Sequence, residues 1–378
     1  MKIGFDGKRA THNFRGLGNY SRGIIEGLYT FAPENELFLY TPPFNDPRAI
    51  NWTNHHPKLK IKTPRNLISK KIPSFWRSFL LEREIKRDEI DLYHGLSHEI
   101  PRVSSKRKYK VAVTIHDLIY LRYPEYFPKV DRVVFDKKFR YATQNSDVVI
   151  AICEQTKNDL IEFFKTDEKK IKVHYQSCSP VFLLKKSQEE KDLFRQNHHL
   201  ERPYILNVGA FEERKNQKSA VLAFSQIANK FDVDLVLVGN GKKYLHEVKE
   251  LIHSLKLESR IKILNNFPFH SLPILYQCAE IFFFPSHFEG FGIPIVEALC
   301  SSVPVACSKG SCFPESAGPD SLFFDSKNVD EMAQILNVLL NDNERRIDIA
   351  RKGLLYSERF HLKNSTSELL KIYHQINP

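Results

Sequence analysis

Short apolar runs alternate with longer amphipathic stretches along almost the whole chain, and that alternation admits few folds: parallel strands buried on both faces by helices. Residues 2–5, 37–40, 92–94, 110–115, 148–152 and 171–174 predict the strands of one sheet. Residues 204–208, 235–238, 261–264, 281–285, 305–306 and 322–324 predict those of a second. At 378 residues the chain exceeds what one hydrophobic core usually supports, so two α/β domains are expected. The first spans 1–181 and the second 204–364, with the polar, charged stretch 182–203 between them as a linker and a terminal helix over 365–378. Open sheets of this kind bind ligands beyond the carboxyl ends of their strands, which predicts a site in a cleft between the domains.

The formal charge of +11 favours an anionic partner: nucleic acid, an anionic membrane surface or a phosphorylated substrate. No helix-turn-helix, zinc-finger or RNA-binding-sheet pattern accompanies that charge, so no nucleic acid partner is expected. The segment 69–83 interleaves Phe75, Trp76 and Phe79 with lysine and arginine. Its periodicity reads as a core-facing helix with a solvated basic side, and an interfacial helix on an anionic membrane is the other reading. The start of the chain runs straight into a strand with no secretory pattern, and no uncharged apolar run approaches the roughly 20 residues that span a bilayer. A cytoplasmic location is therefore expected. The six cysteines form no C-x-x-C pair, which predicts neither disulfides nor structural zinc.

The segment 284–298 carries most of the chemistry. Glu289 precedes the turn Gly290-Phe291-Gly292-Ile293, and Glu297 falls one turn inside the helix that Pro294 helps to start. Two carboxylates so placed suit the hydroxyl groups of one elongated ligand, and the first amides of the helix suit an anion. Arg214 and Lys215 come after a predicted strand and Gly209, where two cations would neutralise a diphosphate leaving group. Gly16 and Gly18 form a turn before a helix starting near Asn19, a second place for a phosphate or sugar, although the spacing is not that of a dinucleotide site. His116 ends an apolar run at the strand end facing the expected cleft. Asp117 beside it either contacts the acceptor or caps the next turn. His94 reads as acceptor-side cleft lining. Asn240, in a turn after its strand, and Phe267 are candidates for the nucleotide pocket. Asp232-Val233-Asp234 has the D-x-D form of a metal site, but it leads into a buried strand and reads as solvated residues before it, so no metal is expected.

The segment from Phe284 to Ala298 resembles the E-x7-E signature of the retaining glycosyltransferases of family 4, whose two-domain fold is GT-B. Asn207 to Asn216 resembles the family's phosphate-binding turn, and Leu299 to Ala306 and Phe313 to Gly318 resemble the strand and loop on the carboxyl side of the signature. Looser likenesses lie at Arg15 to Tyr20, Thr114 to Leu118 and Tyr123 to Tyr126. The resemblance implies two Rossmann-like domains facing across a cleft, with the terminal helix returning to the first. It also implies transfer of a sugar from a nucleoside diphosphate sugar to a glycan or lipid-linked acceptor, with retention and without a cofactor or metal. In that scheme Arg214 and Lys215 hold the diphosphate, Glu297 the ribose and Glu289 the donor sugar, with His116 beside the reacting centre. The run Ile115-His116-Asp117-Leu118 and the Glu-Arg-Lys-Asn run at 213–216 resemble mannosyltransferases, which implies GDP-mannose ahead of UDP-sugars, and surface polysaccharide or lipopolysaccharide synthesis at the inner face of a membrane. One departure stands out: Ala210 occupies a position where many members carry arginine. Two other classes remain open, a glycoside hydrolase or phosphorylase using the same carboxylates and a non-catalytic basic module on a membrane.

Overall fold

The computed structural model describes residues 1–64 and 71–377. The chain divides into two compact units, Met1–Ser177 together with the segment from Leu362 onward, and Cys178–His361. Each contains a parallel sheet whose central strands are almost wholly buried.

In the first unit β1 (Lys2–Asp6), β2 (Glu36–Tyr40), β3 (Lys60–Lys62), β4 (Leu92–Gly95), β5 (Lys110–Ile115), β6 (Val148–Ala151) and β7 (Ile171–Val173) line up in the order β3-β2-β1-β4-β5-β6-β7. The order reverses between β1 and β4, where Ile3 lies level with both Leu37 and Leu92. Apolar patterning does not mark β3. It pairs with β2 and closes one end of the described sheet, so the Lys-Ile-Lys of this strand lacks the apolar run that marks a strand covered on both faces.

The helix Gly16–Phe31 begins earlier than the sequence suggests, and Gly16 and Gly18 lie inside its first turn rather than in a turn before it. A Cβ on Gly18 would sit 1.6 Å from the Asn13 carbonyl oxygen, so only glycine lets that turn fold over the preceding loop. The helix Leu362–Ile376 packs beside it, with Thr366 filling the space that a Cβ on Gly27 would occupy. Pro378, at the end of the expected terminal helix, lies outside the described residues.

The basic segment 69–83 is not the single core-facing helix that its periodicity suggests. Ser69 and Lys70 lie outside the described residues; the rest forms a short helix Pro73–Phe75, a π-helical turn Trp76–Leu80 and the start of the helix Leu81–Arg87. Trp76 is buried and donates to Glu84 (2.9 Å), and Arg77 turns inward to Asp6. Phe75 and Phe79 are exposed and stack on each other at 5.1 Å.

In the second unit β8 (Tyr204–Val208), β9 (Asp234–Val238), β10 (Ile261–Leu264), β11 (Ile281–Phe284), β12 (Val305–Ser308) and β13 (Leu322–Phe324) take the order β10-β9-β8-β11-β12-β13. The reversal falls between β8 and β11. The stretch 182–203, expected as a linker, belongs to this unit and contains the helix Gln188–Asn197. A reciprocal Ser187–Glu190 capping box starts that helix, and buried Phe194 anchors it, which polar composition conceals.

Candidate functional site

Strands β8 and β11 are neighbours at the reversal point, the place in an open parallel sheet where ligands usually bind, and the loops that leave their carboxyl ends lie side by side. One loop carries Arg214 and Lys215 in the 3-10 turn Glu213–Lys215 and the other carries Glu289. Backbone and side-chain bonds stitch the two together. His287 N–H donates to the Arg214 carbonyl (2.8 Å), Arg214 Nη1 donates to the Phe288 carbonyl (2.6 Å), and Asn216 Nδ2 donates to the carbonyls of Pro285 (3.1 Å) and Ser326 (2.8 Å). Asn216 holds a left-handed conformation (φ 60°) at the start of the helix Gln217–Ser225. In the sequence Asn216 is only the last residue of the Glu-Arg-Lys-Asn run, with no role of its own. An asparagine directly before a helix is the signal that could have found it.

The centre of the stitch is an ion-pair cluster. Arg214 Nη1 lies 2.7 Å from Glu289 Oε2 and Lys215 Nζ lies 2.6 Å from Oε1, the latter without the alignment of a hydrogen bond. Arg214 also pairs with half-exposed Glu212 at 2.7 Å, and Lys215 lies 5.4 Å from the centre of the Phe284 ring. Burial by itself would raise the Glu289 carboxyl, but the two cations outweigh it and hold the group down at about 2. Behind it, Ser311 Oγ and Cys312 Sγ reach the Glu289 carbonyl at 3.2 and 3.4 Å.

The turn after Glu289 closes on Gly292, whose φ of 86° suits glycine and which caps the helix Ile293–Cys300 with Pro294 in its first turn. Phe291 is buried, while Gly290 and Ile293 are partly open. Glu297 lies inside this helix and accepts a hydrogen bond from the Tyr276 hydroxyl (3.0 Å). Burial pushes its carboxyl up to about 8, and the tyrosine offsets part of that rise. The two glutamates of one motif are thus held in opposite states near neutral pH, Glu289 ionised and Glu297 protonated.

Gly209 and Gly239 lie back to back after β8 and β9; a Cβ on Gly239 would stand 1.9 Å from the Gly209 carbonyl oxygen. Asn240 spends its side-chain oxygen on the Asn266 amide (2.9 Å), and Phe267 rests against Phe194 and His198, so aromatic packing accounts for its position. Asp234 is not solvated: it is buried at the start of β9, with Arg260 at 3.2 Å, Arg202 at 3.5 Å and Lys262 at 3.8 Å. Those cations explain a carboxylate in a buried strand. Among the described residues no group of three or more histidine, cysteine, aspartate or glutamate side chains is placed to hold a metal ion.

In the first unit the histidines gather behind the ends of β4 and β5. His116 Nε2 hydrogen-bonds the Leu96 carbonyl (2.9 Å), and its ring stands edge-on to Tyr20 at 4.6 Å and near His98 at 5.0 Å. Burial lowers its pKa to about 4, so it is neutral at physiological pH. His94 does not line an opening. It is fully buried, with Nδ1 on the Tyr373 hydroxyl (2.7 Å) and Nε2 on Thr114 Oγ1 (2.8 Å), and burial lowers its pKa to about 3. Asp117 Oδ1 accepts from the Ile119 amide (3.1 Å), the capping role.

Comparison with known proteins agrees with this division. The family model Glycosyltransferase Family 4 matches residues 16–177, and the model Glycosyl transferases group 1 matches residues 188–354. The O-antigen chain mannosyltransferase B of Escherichia coli is 26% identical over 99% of this chain and 99% of its own length. The O-antigen chain mannosyltransferase RfbU of Salmonella typhimurium is also 26% identical, over 58% of this chain and 56% of its own. Among solved structures, Anabaena HepE in complex with UDP and glucose superposes with a TM-score of 0.77 at 19% identity, covering 99% of both chains. Sucrose-phosphate synthase from Thermosynechococcus elongatus gives 0.78 at 17% identity, covering 100% of this chain and 99% of its own. The hydrolase and basic-module alternatives find no support in these relatives. The chain belongs to the glycosyltransferases, with a family 4 domain followed by a group 1 domain in the GT-B fold.

Proposed function

We propose that this glycosyltransferase moves a sugar, mannose as first candidate, from a nucleoside diphosphate donor to a hydroxyl of a glycan or lipid-linked saccharide of the O-antigen type, with retention and without a metal. The observation that carries the reading is the Arg214–Glu289–Lys215 cluster at the strand-order reversal of the second unit. A diphosphate entering there competes with the Glu289 carboxylate for both cations, and the released carboxylate accepts hydrogen bonds from the donor sugar. Glu297, protonated, presents both a donor and an acceptor to the ribose hydroxyls. In the transfer step the bond between the anomeric carbon and the phosphate oxygen breaks, its electron pair staying on that oxygen. The acceptor hydroxyl bonds to the carbon on the same face and passes its proton to the leaving phosphate. Arg214 and Lys215 stabilise the charge that develops, the work a metal would otherwise do.

The names of two relatives support mannose and O-antigen assembly. A lipid-linked acceptor also fits the helix Lys129–Asn145, where Val130, Val133 and Val134 are exposed on one face among Lys129, Arg132 and Lys137. Among the described residues no helix is long and apolar enough to cross a membrane. The test is to incubate the protein with GDP-mannose and UDP-sugars, with and without a polyprenyl-linked saccharide and with a chelator. Acceptor-dependent nucleotide release that persists in chelator, with an α-linked product from an α-linked donor, is expected. Sugar released into water without acceptor, or an inverted product, contradicts the reading.

A further inference from the structure

At the end of the helix Ile293–Cys300 remote from the Glu289 turn, the second unit has a half-open cavity of about 510 Å³. Its wall includes Lys185, Lys186 and Lys191 from the capped segment that composition reads as a linker, together with apolar Phe182 and Leu354 and with Ser301, Ser302 and His361. Lys186 pairs with Glu190 at 2.9 Å, whereas among the described residues Lys185 and Lys191 have no ion-pair partner. Gln277 fixes the lysine loop by accepting from the Lys186 amide (2.9 Å) and donating to the Leu184 carbonyl (2.8 Å), so this wall is built rather than loose. Beneath the lining, Ser301 Oγ and His361 Nε2 are buried without a hydrogen-bond partner among the described residues. A buried polar atom without a partner is unfavourable, and a water or a ligand's polar group in the cavity can satisfy it once the side chain turns toward the opening.

We propose that this cavity binds a small hydroxyl-bearing phosphate monoester of the sugar phosphate class. Its size lies within the range of about 300–1,000 Å³ usual for small-ligand sites, and its lining combines apolar side chains with a few polar groups, as theirs does. Lysine ammonium groups act as compact charges on a phosphate, while the serine hydroxyls and His361 suit the ligand's hydroxyl groups. The one carboxylate on the wall, Glu358, favours a ligand that also offers hydroxyl donors over a bare anion. The cavity is set apart in sequence from the Arg214–Lys215 loop, and its assignment does not depend on the donor reading. Two contacts link the cavity to Glu297: the Ser301 amide donates to the Glu297 carbonyl at 3.0 Å, and Phe182 packs edge-on against Tyr276, whose hydroxyl donates to the Glu297 carboxyl.

The test is calorimetric titration of the full chain with glucose 6-phosphate and, separately, with inorganic phosphate, using wild type, the double variant Lys185→Glu/Lys191→Glu, Ser301→Ala and Lys215→Ala. Both lysines and Ser301 lie outside the donor cluster, and each variant's thermal midpoint is compared with wild type. The proposal expects the sugar phosphate to bind wild type more tightly than inorganic phosphate, the double lysine variant to bind it about tenfold or more weakly, Ser301→Ala to bind it more weakly at an unchanged midpoint, and Lys215→Ala to bind it as wild type does. No binding to wild type, equal binding by the double variant, or loss confined to Lys215→Ala would each overturn it.

Discussion

The two units place opposite charge patterns at the same topological point. In the first, where the strand order reverses between β1 and β4, one cation is held by two acids: Arg77 pairs with Asp6 at the end of β1 and lies 3.4 Å from Glu99 in the loop after β4. In the second, between β8 and β11, one acid is held by two cations. Half-exposed partners, Lys138 on Glu99 and Glu212 on Arg214, complete each cluster at its rim. The same scaffold therefore yields a brace in one unit and, in the function proposed above, an anion site in the other, because a diphosphate can replace one carboxylate between two cations but has no attraction to two carboxylates around an arginine. The first unit keeps the buried histidines His94, His98 and His116 neutral, and the second keeps buried Glu289 ionised while buried Glu297 stays protonated.

The largest expected effect breaks the second cluster. Lys215→Ala should lower kcat/KM for transfer by about 10²–10³-fold, the usual loss when one preorganised charge is removed from a transition state, with a thermal midpoint close to wild type. Steady-state assays with the preferred donor check this, and wild-type turnover would remove Lys215 from the site.

The matching change in the first unit should act on stability instead. Arg77→Ala strands buried Asp6 without its partner and should destabilise the fold by about 3 kcal/mol in urea unfolding, whereas an unchanged midpoint would mean that the brace is not structural.

A smaller, pH-dependent effect belongs to Glu297. Its folded carboxyl keeps its proton up to about 8, while the unfolded chain loses it near the ordinary value of about 4.3. The stabilisation is present below that ordinary value and is lost as pH rises toward the folded one. Glu297→Gln lacks this titration, so its stability relative to wild type should improve between pH 5 and 8, by about 4 kcal/mol at most. Parallel curves for the two proteins would refute the raised value.

The smallest expected effect is none. With a pKa lowered to about 4, His116 should show no shift of its ring NMR signals between pH 6 and 8, and a midpoint near 6.5 would contradict its burial.

Strands covered on both faces are legible in the sequence because burial demands continuous apolar runs, and the carboxylates and cations of the donor loops are legible because turn glycines and a helix-starting proline frame them. The features that stay hidden depend on partners distant in the chain. Asp234 looks solvated until Arg260 and Lys262 arrive from the next strand region, and His94 looks like lining until Tyr373, at the far end of the chain, closes over it. The pairing of Arg214 and Lys215 with Glu289 belongs to the same class: each residue is marked in the sequence, but only the adjacency of β8 and β11 brings them together. The edge strand β3 escapes for the opposite reason, since Lys60 and Lys62 give it no apolar signature.

The central claim is that the two cations now on Glu289 hold the diphosphate of the donor, and nucleotide affinity tests it most directly. Calorimetric titration of GDP and UDP into wild type and Lys215→Ala should show the preferred nucleotide binding wild type and losing about tenfold or more of that affinity in the variant. Equal affinity in the two proteins would contradict the account.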